Sequence, residues 1–157
     1  MLFLVLIKKE VENEDLEFLF KVFLSTRMDE VIGWGWDNEQ IFSFLQMQFH
    51  AQQCSYALQY PNMESRIVVF NNEKAGRILI SEFEERLVVV DITLLPEFQN
   101  NGIGTKILSD LLSDAKKKNK YVQLSVLQNN VQAKKLYKRL GFKPVSENEM
   151  YVRMEWS

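Results

Sequence analysis

The sequence predicts a mixed α/β (α+β) fold in which helices cover both faces of a mostly antiparallel sheet. Apolar runs of strand length alternate with segments whose apolar residues recur at helical spacing. Three short strands between residues 66 and 95 are joined by polar turns, as in a meander. The strand–helix–strand succession from Val88 to Val126 requires a parallel crossover. With 157 residues, 46% of them hydrophobic, we expect a single domain over residues 1–157.

Composition and charge exclude several classes of protein. The 11 Phe, 5 Tyr and 3 Trp argue against disorder, and the net charge of −2 argues against non-specific nucleic-acid binding. The single cysteine, Cys54, excludes an intrachain disulfide framework and favours a reducing compartment. The apolar start is too short for a membrane span and runs directly into charged residues. We therefore expect a cytoplasmic monomer or homodimer with no membrane or nucleic-acid partner.

The first 60 residues predict one strand and two helices. Residues 2–7 form an apolar run typical of a strand buried on both faces. Asn13 is placed to cap the first helix. The segment from Val31 to Trp36 interrupts the helical pattern, and Asp37 or Asn38 then caps a second helix that Pro61 ends near Tyr60. The apolar stripe of the first helix consists of Leu16, Leu19, Phe20, Phe23 and Leu24.

The remaining elements follow from periodicity and turn residues. Strands are predicted at 66–70, 76–83 and 86–95, with turns at 71–74 and 84–85. A helix from Gly102 to Lys118 carries Ile103, Ile107, Leu108, Leu111, Leu112 and Ala115 on one side, and its basic end, 116–118, is expected to be solvated. A strand at 121–127, a helix at 130–140 closed by Gly141, and strands at 142–145 and 150–156 complete the order β-α-α-β-β-β-α-β-α-β-β.

The turn after the strand at 86–95 is typical of an anion-binding site. Pro96 ends the strand, and Gly102 and Gly104 stand at the start of a helix, whose free N–H groups and dipole favour a phosphate. A dinucleotide-binding fingerprint is excluded because Ile107 replaces its third glycine. A Walker A loop is excluded because Gly104-Thr105-Lys106 has the wrong order.

Two motifs identify the ligand. The first is Gln-x-x-Gly-x-Gly at Gln99, Gly102 and Gly104. The second is Asn-x-x-Ala-x-x-x-Tyr-x-x-x-Gly-Phe, formed by Asn130, Ala133, Tyr137, Gly141 and Phe142. Together with the element order, they resemble the GNAT family of acetyl-CoA-dependent N-acetyltransferases over nearly the whole chain. The resemblance implies the GNAT-like acyl-CoA N-acyltransferase fold, with acetyl-CoA as cosubstrate and no metal.

The same resemblance implies which residues hold the coenzyme. Pyrophosphate contacts fall on the loop amides, pantetheine contacts on the end of the preceding strand, and Asn130 caps the last helix and reaches the coenzyme arm. If the strand at 88–95 splays from the strand at 121–127 after Pro96 disrupts pairing, the arm can bind as an added strand would. The implied set is Ile92, Thr93, Leu94, Gln99, Asn100, Asn101, Gly102, Ile103, Gly104, Thr105, Asn130 and Tyr137.

The catalytic candidates are one acid and one base. Tyr137 matches the tyrosine that in many relatives protonates the leaving thiolate, although a packed core tyrosine is the structural alternative. The position where some relatives carry a glutamate base is Ser125, which has no carboxylate. Asp91 is the candidate base, on the same strand face as Thr93, with a buried structural carboxylate as the alternative. Glu82 or a chain of waters are further options.

The expected reaction is transfer of acetyl from acetyl-CoA to a primary amine of a small molecule or peptide by direct attack. A non-catalytic acyl-CoA-binding sensor and a protein N-terminal acetyltransferase are the alternatives. We expect the acceptor to be selected between Val31 and Tyr60, where Trp34, Trp36 and Phe42 either line a pocket or anchor a loop. His50 and Cys54 share a helix face, but no further Cys or His completes a zinc site, which favours packing.

Overall fold

The computed structural model describes residues 5–8 and 12–157, and the side chains from residue 12 onwards. The predicted elements are present in the predicted order, although residues 2–4 of the first strand lie outside the described part. Their bounds are β1 (Val5–Lys8), α1 (Asp15–Val31), α2 (Asn38–Gln59), β2 (Met63–Phe70), β3 (Glu73–Glu82), β4 (Arg86–Leu94), α3 (Ile103–Lys117), β5 (Tyr121–Leu127), α4 (Val131–Leu140), β6 (Lys143–Glu147) and β7 (Tyr151–Trp156).

The strands form one seven-stranded sheet in the order β1-β2-β3-β4-β5-β7-β6. Each neighbouring pair is antiparallel except β4 and β5, which are parallel and connected through α3. This confirms the predicted mixed, mostly antiparallel sheet. The parallel pair lies near the middle of the sheet, so the loop that joins β4 to α3 opens at its centre.

Helices cover both faces of the sheet, as predicted. On one face, α3 buries the whole predicted stripe, and its residues join a core that includes Val89, Leu124 and Met154. On the other face, α1 and α2 form a second cluster around Phe23 and Leu45. None of the helices in residues 5–8 and 12–157 is long and apolar enough to cross a membrane.

The start of α1 differs from the sequence prediction, whereas its end agrees with the predicted break after Val31. Glu14 rather than Asn13 occupies the N-cap position, and Asp15 at the first turn accepts a hydrogen bond from the Glu12 N–H at 2.9 Å. Leu16, expected in the buried stripe, is 52% exposed. Asp15 is buried in its place and forms an ion pair with Lys74. The helix continues through Val31 before a 3-10 turn at Ile32–Trp34. By contrast, Asp37 caps α2 as predicted, in a capping box with Gln40.

Two strands begin earlier than periodicity indicated, and one is shifted towards the C-terminus. The strand β2 starts at Met63 rather than Arg66, and β3 starts at Glu73 rather than Gly76. The hairpin turn between them is therefore only Asn71 and Asn72, whose φ angles of 50° and 68° suit a tight hairpin. Asparagine tolerates this left-handed region better than most residues, which makes a two-residue turn feasible without glycine. The predicted strand at 142–145 is β6, shifted to Lys143–Glu147.

Candidate active site

A cleft opens where β4 and β5 separate. The two strands pair from Arg86 with Tyr121 up to Val89 with Leu124, and no pairing continues beyond that point among the described residues. A bulge coincides with the separation, since β3 pairs Leu79 with Asp91 but Ile80 with Val89, leaving Val90 as an extra residue in β4. The cleft has a volume of about 330 Å³, which is in the range of small-molecule sites.

The bulge also decides which way the last residues of β4 face. Ile92 and Leu94 pack against the α3–α4 core, whereas Asp91 and Thr93 face the α1–α2 side. The Leu95 N–H donates to the Ala75 carbonyl on β3 at 2.8 Å. Because backbone groups alternate along a strand, those of Leu94 and Ile92 point to the open side, and those of Thr93 point to β3.

The glycine turn has the geometry expected of an anion site. Asn100 and Gly102 have φ angles of 63° and 76°, which curl the loop into the N-terminus of α3. The first helical hydrogen bond runs from the Lys106 N–H to the Gly102 carbonyl at 3.0 Å. The N–H groups of Ile103, Gly104 and Thr105 therefore precede any intrahelical acceptor and point out of the helix end. The Gln99 side-chain amide donates to the Leu94 carbonyl at 3.0 Å and ties the turn to the strand end.

The helix α4 places two motif residues at the cleft. Asn130 caps it by accepting a hydrogen bond from the Ala133 N–H at 3.1 Å, as predicted. Gly141, at φ 104°, closes it in a Schellman pattern in which the Phe142 N–H bonds to the Tyr137 carbonyl. Tyr137 lines the cleft and is only 8% exposed. Burial, with a smaller effect from the Asp91 charge, raises the pKa of Tyr137 to about 12.

Asp91 is held by two neighbours on the opposite side of the cleft. The Arg77 Nη2 donates to Asp91 Oδ2 at 2.7 Å, and the Thr93 hydroxyl lies 3.2 Å from both carboxylate oxygens. Arg77 is buried at 3% exposure, whereas the Asp91 side chain is 25% exposed. The ion pair holds the Asp91 side chain beneath the cleft, and Oδ1, which among the described residues accepts only from Thr93, has a further lone pair for a ligand or water.

The wall facing α4 comes from the first two helices. It contains Thr26, Arg27, Glu30, Gln52 and Tyr56. The charged side chains around the cleft affect the pKa of Tyr56. Burial and the Asp91 charge raise the pKa of Tyr56, against the opposing effect of the Arg77 and Arg27 guanidinium groups.

Other sequence candidates lie elsewhere. Glu82 is paired with Lys118 and Lys120 at the far end of β3, and their hydrogen bonds lower its pKa. It does not line the cleft, so its suggested role as base is withdrawn. Ser125 does line the cleft. His50 and Cys54 are exposed on α2, and the described residues contain no cluster suited to a metal.

The tryptophans do not form the acceptor pocket that the sequence suggested as one alternative. Trp34 and Trp36 pack edge-on against each other and against Phe44, with ring centroids 5.2 to 5.5 Å apart. Both are 40 to 50% exposed, at 48% and 41%, and neither lines the cleft. Phe42 packs on Phe20 instead. From the stretch 31–60, only Gln52 and Tyr56 line the cleft.

Comparison with known proteins identifies this arrangement. A family model described as the acetyltransferase (GNAT) family matches residues 28–142, which is well over half of the chain. The chain belongs to the GNAT acetyltransferase family. The matched range contains the splayed strands, the glycine turn and the whole of α4.

Solved structures with the GNAT fold match nearly the whole length. PaiA N-acetyltransferase from Thermoplasma acidophilum, in complex with coenzyme A, is 20% identical with a TM-score of 0.72, covering 98% of both chains. A GNAT family acetyltransferase from Elizabethkingia anophelis with acetyl-CoA bound is 17% identical with a TM-score of 0.61, covering 98% of this chain and 97% of that one. The ribosomal-protein-S18-alanine N-acetyltransferase from Escherichia coli is 17% identical with a TM-score of 0.66, covering 98% and 93%.

The sequence did not indicate most residues on the α1–α2 side of this GNAT cleft. Arg77 had one usable signal, since it is a charged residue inside the apolar strand β3. Arg27, Glu30, Gln52 and Tyr56 had none. They lie among ordinary polar residues of two amphipathic helices, and only the packing of those helices on the sheet turns them towards Asp91.

Proposed function

We propose that this GNAT protein transfers an acetyl group from acetyl-CoA to a primary amine of a small molecule or peptide. The observation that carries the proposal is the separation of β4 from β5 beyond Val89, directly before the glycine turn and facing Tyr137. The open edge offers the N–H and carbonyl of Ile92 and the N–H of Leu94 to an extended pantetheine arm, while the Leu94 carbonyl is bound by Gln99. The N–H groups from Asn100 to Thr105 offer donors to the pyrophosphate.

The chemistry follows from the two sides of the cleft. The amine nitrogen attacks the thioester carbonyl, whose oxygen is stabilised by the Leu94 N–H, and the carbon–sulfur bond breaks. Asp91, directly or through a water, takes the proton that the amine loses, and Tyr137 donates a hydrogen bond and then a proton to the thiolate. With a pKa of about 12, Tyr137 stays protonated throughout the physiological range.

Gly104 offers a test that separates ligand binding from folding. A Cβ at Gly104 would meet Leu136 Cδ2 at 3.8 Å, an ordinary contact, so the protein itself tolerates alanine there. We expect Gly104→Ala to keep or raise the stability of the chain while weakening acetyl-CoA binding at least about tenfold, because the methyl group obstructs the pyrophosphate. Isothermal titration measures the acetyl-CoA affinity of the variant and of the unmodified protein, and urea unfolding compares their stabilities. Ser113→Ala, on the exposed side of the same helix, is the control.

Turnover is tested by a thioester-consumption screen over polyamines, aminoglycosides, amino acids and peptides. The proposal expects at least one amine to be acetylated at its nitrogen. Absence of acetyl-CoA binding by the unmodified chain at millimolar ligand would reject the proposal outright. A Tyr137→Phe variant with full turnover would reject only the role assigned to Tyr137.

A second candidate is an acyl-CoA-binding module without turnover. It is favoured by Ser125 at the position of a glutamate base and by the Arg77 ion pair that occupies Asp91. Binding of acetyl-CoA without release of free thiol across the whole amine screen would support it. One efficiently acetylated amine excludes it.

We also propose a cytoplasmic location and a single domain. The single cysteine, Cys54, is free and exposed, which supports a location in the reducing cytoplasm. A seven-stranded sheet that runs through the whole described range supports one transferase domain over residues 1–157.

A further inference from the structure

The cleft wall opposite Tyr137 is rich in hydrogen-bond donors that the chain leaves unused. Arg77 uses Nη2 for Asp91, but its Nε and Nη1 are buried with no acceptor among residues 12–157. The Nε of Arg27 is in the same state. Against these three donor atoms, Gln52 Oε1 is the one buried acceptor of the wall that also lacks a partner in the described structure. The wall therefore has more unpaired hydrogen-bond donors than unpaired oxygen atoms to accept from them.

The two carboxylates of the wall do not correct this imbalance. Asp91 is already bound to Arg77 and Thr93. Glu30 lies 3.9 Å from the Arg27 Nη1, at the limit of an ion pair, and its side chain is 64% exposed. An exposed pair at that distance contributes little, so Glu30 leaves Arg27 free to bind another anion.

Arg27 is the donor that a ligand can reach. Its side chain is 38% exposed, lines the cleft, and is held over the Phe23 ring at 5.5 Å. Planar guanidinium groups bind carboxylate or carbonyl oxygens through two parallel hydrogen bonds. Tyr56 lines the same cleft, and its hydroxyl is a further hydrogen-bond donor there.

We propose that the amine substrate carries a carboxylate or carbonyl oxygen beside its amine, as an α-amino acid or the first residue of a peptide does. Arg27 binds this oxygen. This inference rests on the proposed acetyl transfer and adds the class of acceptor. The amine lies towards Asp91 and the thioester, and the carboxylate or carbonyl lies towards α1. Arg27 and Tyr56 are then specificity residues, because they contact the acceptor away from the reacting atoms.

Matched pairs of amines test the inference. Each amino acid is compared with the amine left when its carboxylate is removed, for example L-phenylalanine with phenethylamine. A peptide with the same first residue distinguishes a peptide carbonyl from a free carboxylate, and 1,4-diaminobutane represents a doubly cationic acceptor. We expect kcat/KM to favour the oxygen-bearing member by about 10- to 100-fold, the range of a charge-assisted hydrogen bond.

Variants assign the effect to Arg27. Arg27→Gln is expected to abolish the preference by raising KM for the acceptor, with KM for acetyl-CoA unchanged, and Arg27→Lys to restore part of it. Lys21→Gln, an exposed cation on the same helix, is the control and keeps the preference. Glu30→Gln keeps or strengthens the preference, because it releases Arg27.

Several results would overturn the inference while leaving acetyl transfer intact. The first is equal kcat/KM within the matched pairs. The second is an Arg27→Gln variant that lowers kcat/KM for all amines alike. The third is a diamine that is the best substrate and binds more weakly to the Glu30→Gln variant. If no amine is acetylated although acetyl-CoA binds, the proposed function fails. Titration of the same amines into the coenzyme A complex then decides the inference on affinity alone, with equal affinities within the pairs counting against it.

Discussion

At the scale of single residues, Tyr137 shows how burial shapes chemistry. It stands on the α4 face that packs on the core, edge-on to Phe142 with ring centroids 5.8 Å apart, and it lines the cleft. Loss of hydration disfavours the phenolate, and the nearby carboxylate of Asp91 disfavours it further. A tyrosine in this environment is a proton donor and not a base.

The raised pKa of Tyr137 predicts a component of alkaline unfolding. The phenol ionises near 10 in the unfolded chain and near 12 in the fold, so its contribution is complete below pH 10 and is lost as pH rises from 10 to 12. The loss amounts to about 3 kcal/mol at most. In Tyr137→Phe, the free energy of unfolding should therefore fall less steeply between pH 10 and 11.5. Urea unfolding at a series of pH values measures this. Parallel curves for the two proteins would contradict this assignment.

Arg77 and Asp91 show the limit of reading residues one at a time. The sequence indicated Asp91 as a candidate base, with a structural carboxylate as the alternative, and the structure gives it features of both. It is bound to a buried guanidinium, yet it keeps a quarter of its side chain exposed in the cleft. Its partner lies 14 residues away on the neighbouring strand, and strand pairing rather than sequence distance brings the two together.

At the scale of elements, β4 organises the site. The extra residue Val90 reverses the alternation, which turns Asp91 towards α1 and α2 and keeps Ile92 with the core. The end of the strand is held on its other edge by Gly76, where a Cβ would stand 2.2 Å from the Thr93 carbonyl oxygen and 2.9 Å from Leu94 Cα. Only glycine permits this close approach.

Gly76→Ala should therefore disturb both stability and coenzyme binding. The added methyl must displace the backbone at Thr93 and Leu94, at a cost of about 2 to 3 kcal/mol. The same displacement moves the open edge of β4, so acetyl-CoA affinity falls as well. Gly33→Ala is the matched control, since a Cβ there meets no atom within 4 Å, and it should change stability by less than about 0.5 kcal/mol.

Urea unfolding and isothermal titration measure the two effects of Gly76→Ala separately. An alanine variant as stable as the starting protein would show that the strand can shift without strain. Loss of stability with unchanged acetyl-CoA affinity would show that the end of β4 does not position the coenzyme.

At the scale of the whole molecule, the cleft joins parts of the chain that are far apart in sequence. Its floor is the sheet, one wall is α4 and the other is α1 with α2, so both helical layers contribute to one site. The two layers have separate apolar clusters. A ligand in the cleft contacts both, and its binding energy adds to the stability of the fold as a whole.

Acetyl-CoA should accordingly raise the thermal unfolding midpoint. At a concentration 100-fold above its dissociation constant, the ligand contributes about 2.7 kcal/mol. For a chain of this size, that corresponds to about 5 to 10 °C. Differential scanning fluorimetry measures the shift, and Gly104→Ala at the same ligand concentration should show a smaller one. An unchanged midpoint at saturating acetyl-CoA would contradict binding to the folded state.

The sequence alone determined the element order, the α3 stripe, the Asn130 and Gly141 ends of α4, and the glycine turn. These features depend on residues close together in sequence. Side chains four positions apart share one face of a helix, and glycine adopts the positive φ angles that turns and helix ends need. Strand starts at Met63 and Glu73 escaped it because pairing with the adjacent strand, not local pattern, extends a strand.

The cleft wall formed by α1 and α2 was decided only by the tertiary structure. The tryptophans at 34 and 36 were more conspicuous in the sequence than Arg27 or Tyr56, yet they pack together away from the cleft. Which face a helix turns to a sheet depends on the rotation and packing of the whole layer, and a single bulge at Val90 reverses a strand's faces. The backbone turns of the cleft could therefore be predicted from sequence, whereas the side chains that packed helices place in it could not.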